Sequence, residues 1–212
     1  MAKKSPAKKA TKKSVKKVVK KTTTKSNPKK AAKKTTQSLK KAVAKKVTKK
    51  TAVKSVKFTA HQTHLKVGDK APYFEGKEQR GNTISLTGLT GKTIILYFYP
   101  KDDTPGCTAT ACSLRDEYKL LNKSNYAVVG VSADNEKSHA KFAAKYELPF
   151  PLLADVDHKI MKAYGVWGKK QFMGRIFDGI IRTTFIISPD GIIKEVINKV
   201  DTANHAQQIL NA

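Results

Sequence analysis

The chain has two cysteines, Cys107 and Cys112, and both lie just after a point where an apolar run gives way to a helical pattern. The stretch reads Tyr97-Phe-Tyr-Pro-Lys-Asp-Asp-Thr-Pro-Gly-Cys107-Thr-Ala-Thr-Ala-Cys112. Thiolate is the reactive form of cysteine, and a helix N-terminus or a nearby cation favours that anion. Cys107 falls in the first turn of the expected helix and is placed to gain this effect. Thr104 can offer a hydroxyl to a bound oxygen, and Pro100 can shield the sulfur from water. Taken alone, Cys107 also fits an inert buried thiol, and Thr104 fits a loop residue or a helix cap.

The spacing of the two sulfurs carries its own information. Five residues apart on an intact helix, their side chains diverge by about 140° and their Cα atoms stand roughly 8–9 Å apart. A disulfide needs Cα atoms within about 7 Å. The two sulfurs can therefore bond only if part of the helix unwinds. A cycle in which Cys107 becomes a sulfenic acid and then condenses with Cys112 fits that geometry better than a static crosslink. A zinc site is not expected, because no second pair of ligands accompanies the cysteines.

The elements that must position these residues can be read from the pattern. Thr93–Phe98 is a short apolar run suited to a strand buried on both faces. Pro100 ends it, Pro105-Gly106 marks a turn, and a helix is expected from Cys107 to about Asn122. Further strands are expected at Tyr126–Ser132, Leu152-Leu153 and Thr183–Ser188, with a hairpin return at Ile192–Asn198. Helices are expected at Glu136–Tyr146, Asp157–Tyr164 and Thr202–Leu210. Residues 66–92 read as an added N-terminal hairpin with turns at Gly81-Asn82 and Gly88. Strands alternating with helices and closing in a hairpin indicate an α/β domain with a mixed sheet.

Charge divides the chain sharply. Residues 1–57 hold 23 lysines and no Asp, Glu or Arg, and the first acid is Asp69. The overall charge of +27 therefore belongs mostly to this tail. With apolar residues that are mainly Ala and Val, the tail buries too little to offset the entropy of ordering, so residues 1–62 are expected to be a disordered basic tail and 63–212 the folded domain. No run approaches the ~18 apolar residues of a membrane span, and the N-terminus lacks the apolar core of a signal peptide. With only two cysteines, a reducing intracellular, cytoplasmic setting fits. His61 and His64 fall in the linker, while His139, His158 and His205 are expected at the surface of helices. Arg115 and Asp116 read as a paired structural set, and Trp167 as a packing residue.

The segment from Phe98 to Cys107, followed by Cys112, resembles the active-site motif of peroxiredoxins, most nearly the peroxiredoxin Q or bacterioferritin-comigratory-protein subfamily. Val67-Gly-Asp-Lys-Ala-Pro72, Tyr164-Gly-Val-Trp-Gly168 and the stretch Gly179–Gly191 extend the likeness over about residues 65–211. The resemblance implies a thioredoxin-like fold and reduction of hydrogen peroxide and organic hydroperoxides. It implies Cys107 as the peroxidatic cysteine, Cys112 as the resolving one, and Pro100, Thr104 and Arg182 around the peroxide. It further implies thioredoxin or a similar dithiol as reductant, no cofactor, and a monomer. A guanidinium beside Cys107 would favour the thiolate and meet charge developing on the leaving oxygen.

The tail has no counterpart in that pattern. Acid-free lysine runs neutralise phosphates and bind nucleic acid without sequence preference. Its Ala-Lys-Lys repeats resemble linker-histone tails, and residues 1–57 are expected to tether the domain to DNA in a nucleoid or nucleus. Anionic membranes fit less well, since no hydrophobic anchor accompanies the charge. The alternative is a DNA-associated redox sensor without efficient turnover. A disulfide oxidoreductase is disfavoured by the absence of a C-x-x-C pair.

Overall fold

The computed structural model describes residues 61–212, so the expectations for the tail lie outside the described residues. Two short strands, β1 (Glu75–Lys77) and β2 (Thr83–Ser85), pair antiparallel as the added hairpin. The central sheet is built from β3 (Thr93–Phe98), β4 (Tyr126–Ser132), β5 (Leu152–Ala154), β8 (Thr183–Ile187) and β9 (Ile193–Ile197). Its order is β5-β4-β3-β8-β9. β3, β4 and β5 run parallel, β8 pairs antiparallel with β3, and β9 pairs antiparallel with β8. Helices α1 (Pro105–Asp116), α2 (Tyr118–Lys123), α3 (Glu136–Lys145), α4 (Lys159–Ala163) and α5 (His205–Leu210) complete a thioredoxin-like mixed α/β fold.

β3 is apolar on both faces because both faces are covered. Ile95, Tyr97 and Tyr99 pack with Cys107, Ala111 and Leu114 of α1, Phe142 of α3 and Ile209 of α5. Ile94, Leu96 and Phe98 belong to the opposite layer, with Phe74, Met161, Tyr164 and Phe185. The strand's period of two thus feeds two separate cores. The register then places the site. β8 is antiparallel to β3, and its first residue Thr183 pairs with Phe98, the last residue of β3. Arg182 and the loop after Tyr99 therefore leave the sheet at the same end.

Three expectations need correction. The helix expected over 107–122 starts at Pro105 and breaks at Glu117, whose backbone (φ −95°, ψ 8°) caps α1 and opens α2. Asp157–Tyr164 and Thr202–Leu210 shorten to α4 and α5. A further hairpin, β6 (Trp167–Phe172) with β7 (Arg175–Ile180), was not expected. Its turn residues Met173 and Gly174 both have positive φ, which suits a tight two-residue connection. The strands carry Lys169, Lys170, Arg175 and Asp178, so no apolar alternation betrayed them.

Candidate active site

Cys107 is the third residue of α1, 2% exposed, and both cysteines are free thiols. The first intrahelical bond runs from the Thr108 N–H to the Thr104 carbonyl at 2.8 Å. Pro105 has no N–H, so the Gly106 and Cys107 amides are the free donors of the helix start. A threonine at the N-cap usually accepts from one of them. Here the Thr104 hydroxyl instead donates to the Lys101 carbonyl at 3.1 Å and makes no cap bond. Among the described residues, two amide donors are thus left unclaimed beside the sulfur. Pro100 stands half-buried between β3 and this loop.

Arg182 closes the other side. Its Nη2 donates to Cys107 Sγ at 3.3 Å and its Nη1 to Thr110 Oγ1 at 3.3 Å. Thr110 is itself anchored by donating to the Gly106 carbonyl at 2.9 Å. Gly106 permits this approach, since a Cβ there would sit 3.3 Å from Arg182 Nη2. The cation lies where it can stabilise an anionic sulfur and, after reaction, an anionic oxygen. The five residues expected from the sequence are therefore distributed as follows. Cys107 and Arg182 are in direct contact, Thr104 stands at the N-cap of the helix that carries Cys107, Pro100 is half-buried in the loop before it, and Cys112 is half-buried further along the same unbroken helix.

Several neighbours were not foreseen. Lys170 of β6 donates to the Ile180 carbonyl at 2.8 Å, two residues before Arg182. Burial pushes the Lys170 ammonium's pKa down, Arg182 lowers it further, and the Cys107 charge opposes both, which makes it a second cation in the field of the site. A lysine in a Lys-Lys pair reads as surface, so no pattern pointed to it. Tyr97 stacks on Tyr99 with ring centroids 5.4 Å apart. The Tyr97 hydroxyl is buried with no hydrogen-bond partner among the described residues. Burial, then the Asp102 and Cys107 charges, push its pKa well above the usual phenol value.

The histidines differ from expectation. His139 and His205 are fully buried rather than at the surface, and His158 is half-buried with its ring 3.8 Å from that of Trp167. His139 meets Asp102 at 2.9 Å. Burial raises the Asp102 carboxyl's pKa, but the bonds from His139, Ser138 and Tyr99 outweigh it and the net direction is down. His205 is bonded to Thr184 Oγ1 at 2.8 Å and Gln208 Oε1 at 3.1 Å. His61 contacts the Gly165 carbonyl at 3.0 Å instead of standing clear of the domain. Arg115 and Asp116 do pair, at 2.7 Å. Among the described residues no cluster of His, Cys, Asp and Glu could hold a metal ion, and no helix is long and apolar enough to cross a membrane.

The AhpC/TSA family matches residues 67–196. Peroxiredoxin Bcp of Escherichia coli (strain K12) is 45% identical over 147 residues, covering 69% of this chain and 94% of that protein. Peroxidoxin BcpB from Mycobacterium tuberculosis superposes with a TM-score of 0.62 at 34% identity, over 70% of this chain and 96% of that one. The bacterioferritin comigratory protein of Xanthomonas campestris, solved in connection with its alkyl peroxide reduction activity, gives a TM-score of 0.64 at 32% identity, over 71% and 96% of the two chains.

Proposed function

Since the chain belongs to the AhpC/TSA family, and within it to the Bcp/PrxQ peroxiredoxins, and is on that ground a thiol peroxidase, we propose that Cys107 reduces hydroperoxides and Cys112 resolves each turnover. The Cys107 thiolate attacks one oxygen of the hydroperoxide, and the O–O bond breaks. The sulfur leaves as a sulfenic acid, and the other oxygen takes up a proton and departs as water or an alcohol. The charge that grows on the departing oxygen meets Arg182 and the free amides of Gly106 and Cys107. Part of α1 then unwinds, the Cys112 thiol attacks the Cys107 sulfur, a disulfide forms and water leaves. A dithiol protein of the thioredoxin kind returns both thiols by exchange. Hydrogen peroxide and organic hydroperoxides are the substrates, and the alkyl peroxide activity of the Xanthomonas relative supports the second class.

The observation that carries this reading is the 3.3 Å contact between Arg182 Nη2 and Cys107 Sγ at a helix start with unclaimed donors. Peptide mapping after one equivalent of peroxide tests it. A Cys107–Cys112 bridge is expected, and two unlinked cysteines after peroxide is consumed would refute the resolving step.

The protein acts as a monomer, with residues 63–212 as the catalytic domain and 1–62 as a separate basic tail. The 23 lysines of residues 1–57 support non-specific binding to DNA, which would place the peroxidase beside nucleic acid.

A further inference from the structure

Between the end of β3 and the first turns of α3 the fold buries a hydrogen-bonded acid–histidine pair. The side chains of Asp102 and His139 are 5% and 0% exposed. His139 Nε2 lies 3.1 Å from the Leu153 carbonyl of β5. A carbonyl cannot donate, so Nε2 carries a hydrogen. His139 Nδ1 lies 2.9 Å from Asp102 Oδ2. That carboxylate also accepts from the Tyr99 hydroxyl at 2.8 Å and the Ser138 hydroxyl at 2.7 Å. Two hydroxyl donors hold a carboxyl in its anionic form. Both ring nitrogens therefore face oxygen atoms, with the Tyr99 hydroxyl also 3.4 Å from Nδ1. The other acid nearby, Asp134 after β4, accepts from the Asp102 backbone N–H at 2.8 Å and from the Ser132 hydroxyl at 2.8 Å.

This pair sits where the main chain has little else to hold it. The last ladder bond of the strand is Tyr99 N–H to the Val131 carbonyl, and the first helical bond is Thr108 N–H to the Thr104 carbonyl. Among the described residues, no backbone N–H of residues 101–104 bonds to another backbone group. Asp103 is in the left-handed region at φ 54°. The ties run through side chains: the Asp102 N–H to the Asp134 carboxylate, the Asp102 carboxylate to His139 and Ser138, and, at the surface, Asp103 to Lys145 at 2.8 Å and to the Tyr146 hydroxyl.

We infer that Asp102 and His139 are positioning residues for the peroxide site, a buried hydrogen-bonded carboxylate–imidazole pair that pins residues 99–104 to α3 and β5. Pro100 and Thr104 are thereby held at Cys107 even as α1 comes apart during resolution. The inference rests on the peroxidase reading above. A covalent or apolar tie would not share its signature. Removing the histidine leaves a buried carboxylate short of a partner, whereas replacing both members by neutral groups is tolerated.

The test uses the full chain carrying Cys112→Ser, so that only the Cys107 sulfur reacts. Ring-nitrogen NMR of His139 is expected to show both ring nitrogens engaged in hydrogen bonds; a ring free of either bond would overturn the pair without any substitution. His139→Gln is expected to slow the reaction with hydrogen peroxide by about tenfold or more, the scale of a small misplacement of reacting groups. Its reaction with a small aromatic disulfide such as dithiodipyridine, which needs only the thiolate, should stay unchanged. The double variant Asp102→Asn/His139→Gln should recover part of the peroxide rate. An unaltered peroxide rate, a parallel fall in both reactions, or no recovery in the double variant would overturn the inference. If the parent protein itself failed to react with peroxide, the peroxidase reading would fall first and carry this inference with it.

Discussion

The guanidinium of Arg182 reaches two atoms at once, the Cys107 sulfur and the Thr110 hydroxyl, and that fork is what a lysine cannot reproduce. Arg182→Ala is expected to lower the second-order rate constant for hydrogen peroxide by about 10²-fold, the usual loss for one preplaced donor, and Arg182→Lys to recover only part of it. Stopped-flow single-turnover kinetics would measure both. Lys170 acts at longer range through the charge it adds to the same field. Lys170→Gln should therefore cost much less than Arg182→Ala, and its deficit should shrink as salt is added. Of these side chains, Cys107, Cys112, Thr104 and Pro100 announce themselves through the run from Phe98 to Cys112. Arg182 is 75 residues away from Cys107, so only the family likeness pointed to it, and the strand register explains why it arrives. Lys170 and the buried Asp102–His139 pair had no such announcement, because a lysine in a basic pair and a histidine in the stretch Lys-Ser-His-Ala-Lys read as surface.

Helix α1 has to be stable enough to place Cys107 and weak enough to release it. Its sequence, Pro-Gly-Cys-Thr-Ala-Thr-Ala-Cys-Ser-Leu-Arg-Asp, holds Gly, Cys, Thr and Ser in place of strong helix formers. Much of its order comes from packing of Cys107, Thr110, Ala111 and Leu114 on the sheet, and from α5, where the Ala206 N–H donates to Ser113 Oγ at 3.1 Å. Thr108 is half-buried, and no side-chain hydrogen bond of the described residues involves it. Thr108→Ala should stabilise the helix by about 0.5 kcal/mol, enough to slow disulfide formation roughly twofold and to leave Cys107 more open to overoxidation. Rapid-quench alkylation would time the bridge. The anchoring of α5 depends on pH through His205, whose pKa burial pushes below the ordinary imidazole value of 6.5. The native ring is neutral, so the unfolded chain takes up the proton first as pH falls. The contribution is complete above 6.5 and is lost as pH drops through the lower native value. Melting temperature should fall on acidification below neutral, and less so in His205→Gln. Strand and helix positions were largely legible from apolar periodicity. The break at Glu117 and the β6–β7 hairpin were not, since one is a local backbone change and the other exposes charged residues on both strands.

At the scale of the whole molecule, a family domain follows a tail of very different composition. The family match begins at residue 67, and the lysine run ends before it. If the tail binds DNA through charge alone, log affinity should fall linearly with log salt with a slope near −0.9 per phosphate neutralised. Binding isotherms of the full chain and of residues 61–212 would read this out. Affinity should vanish with the tail, while the peroxide rate is unchanged; equal affinity of the two would end the tethering proposal. The division was plain from the charge pattern, because no packing is needed to see an acid-free stretch. The burial of His139 and His205 needed the assembled fold. The most direct measurement is peroxide consumption by Cys107→Ser beside the unmodified protein, in stopped flow with a dithiol donor. Loss of essentially all turnover in the variant is the result expected. Consumption at the parent rate would contradict the assignment of the chemistry to that one sulfur.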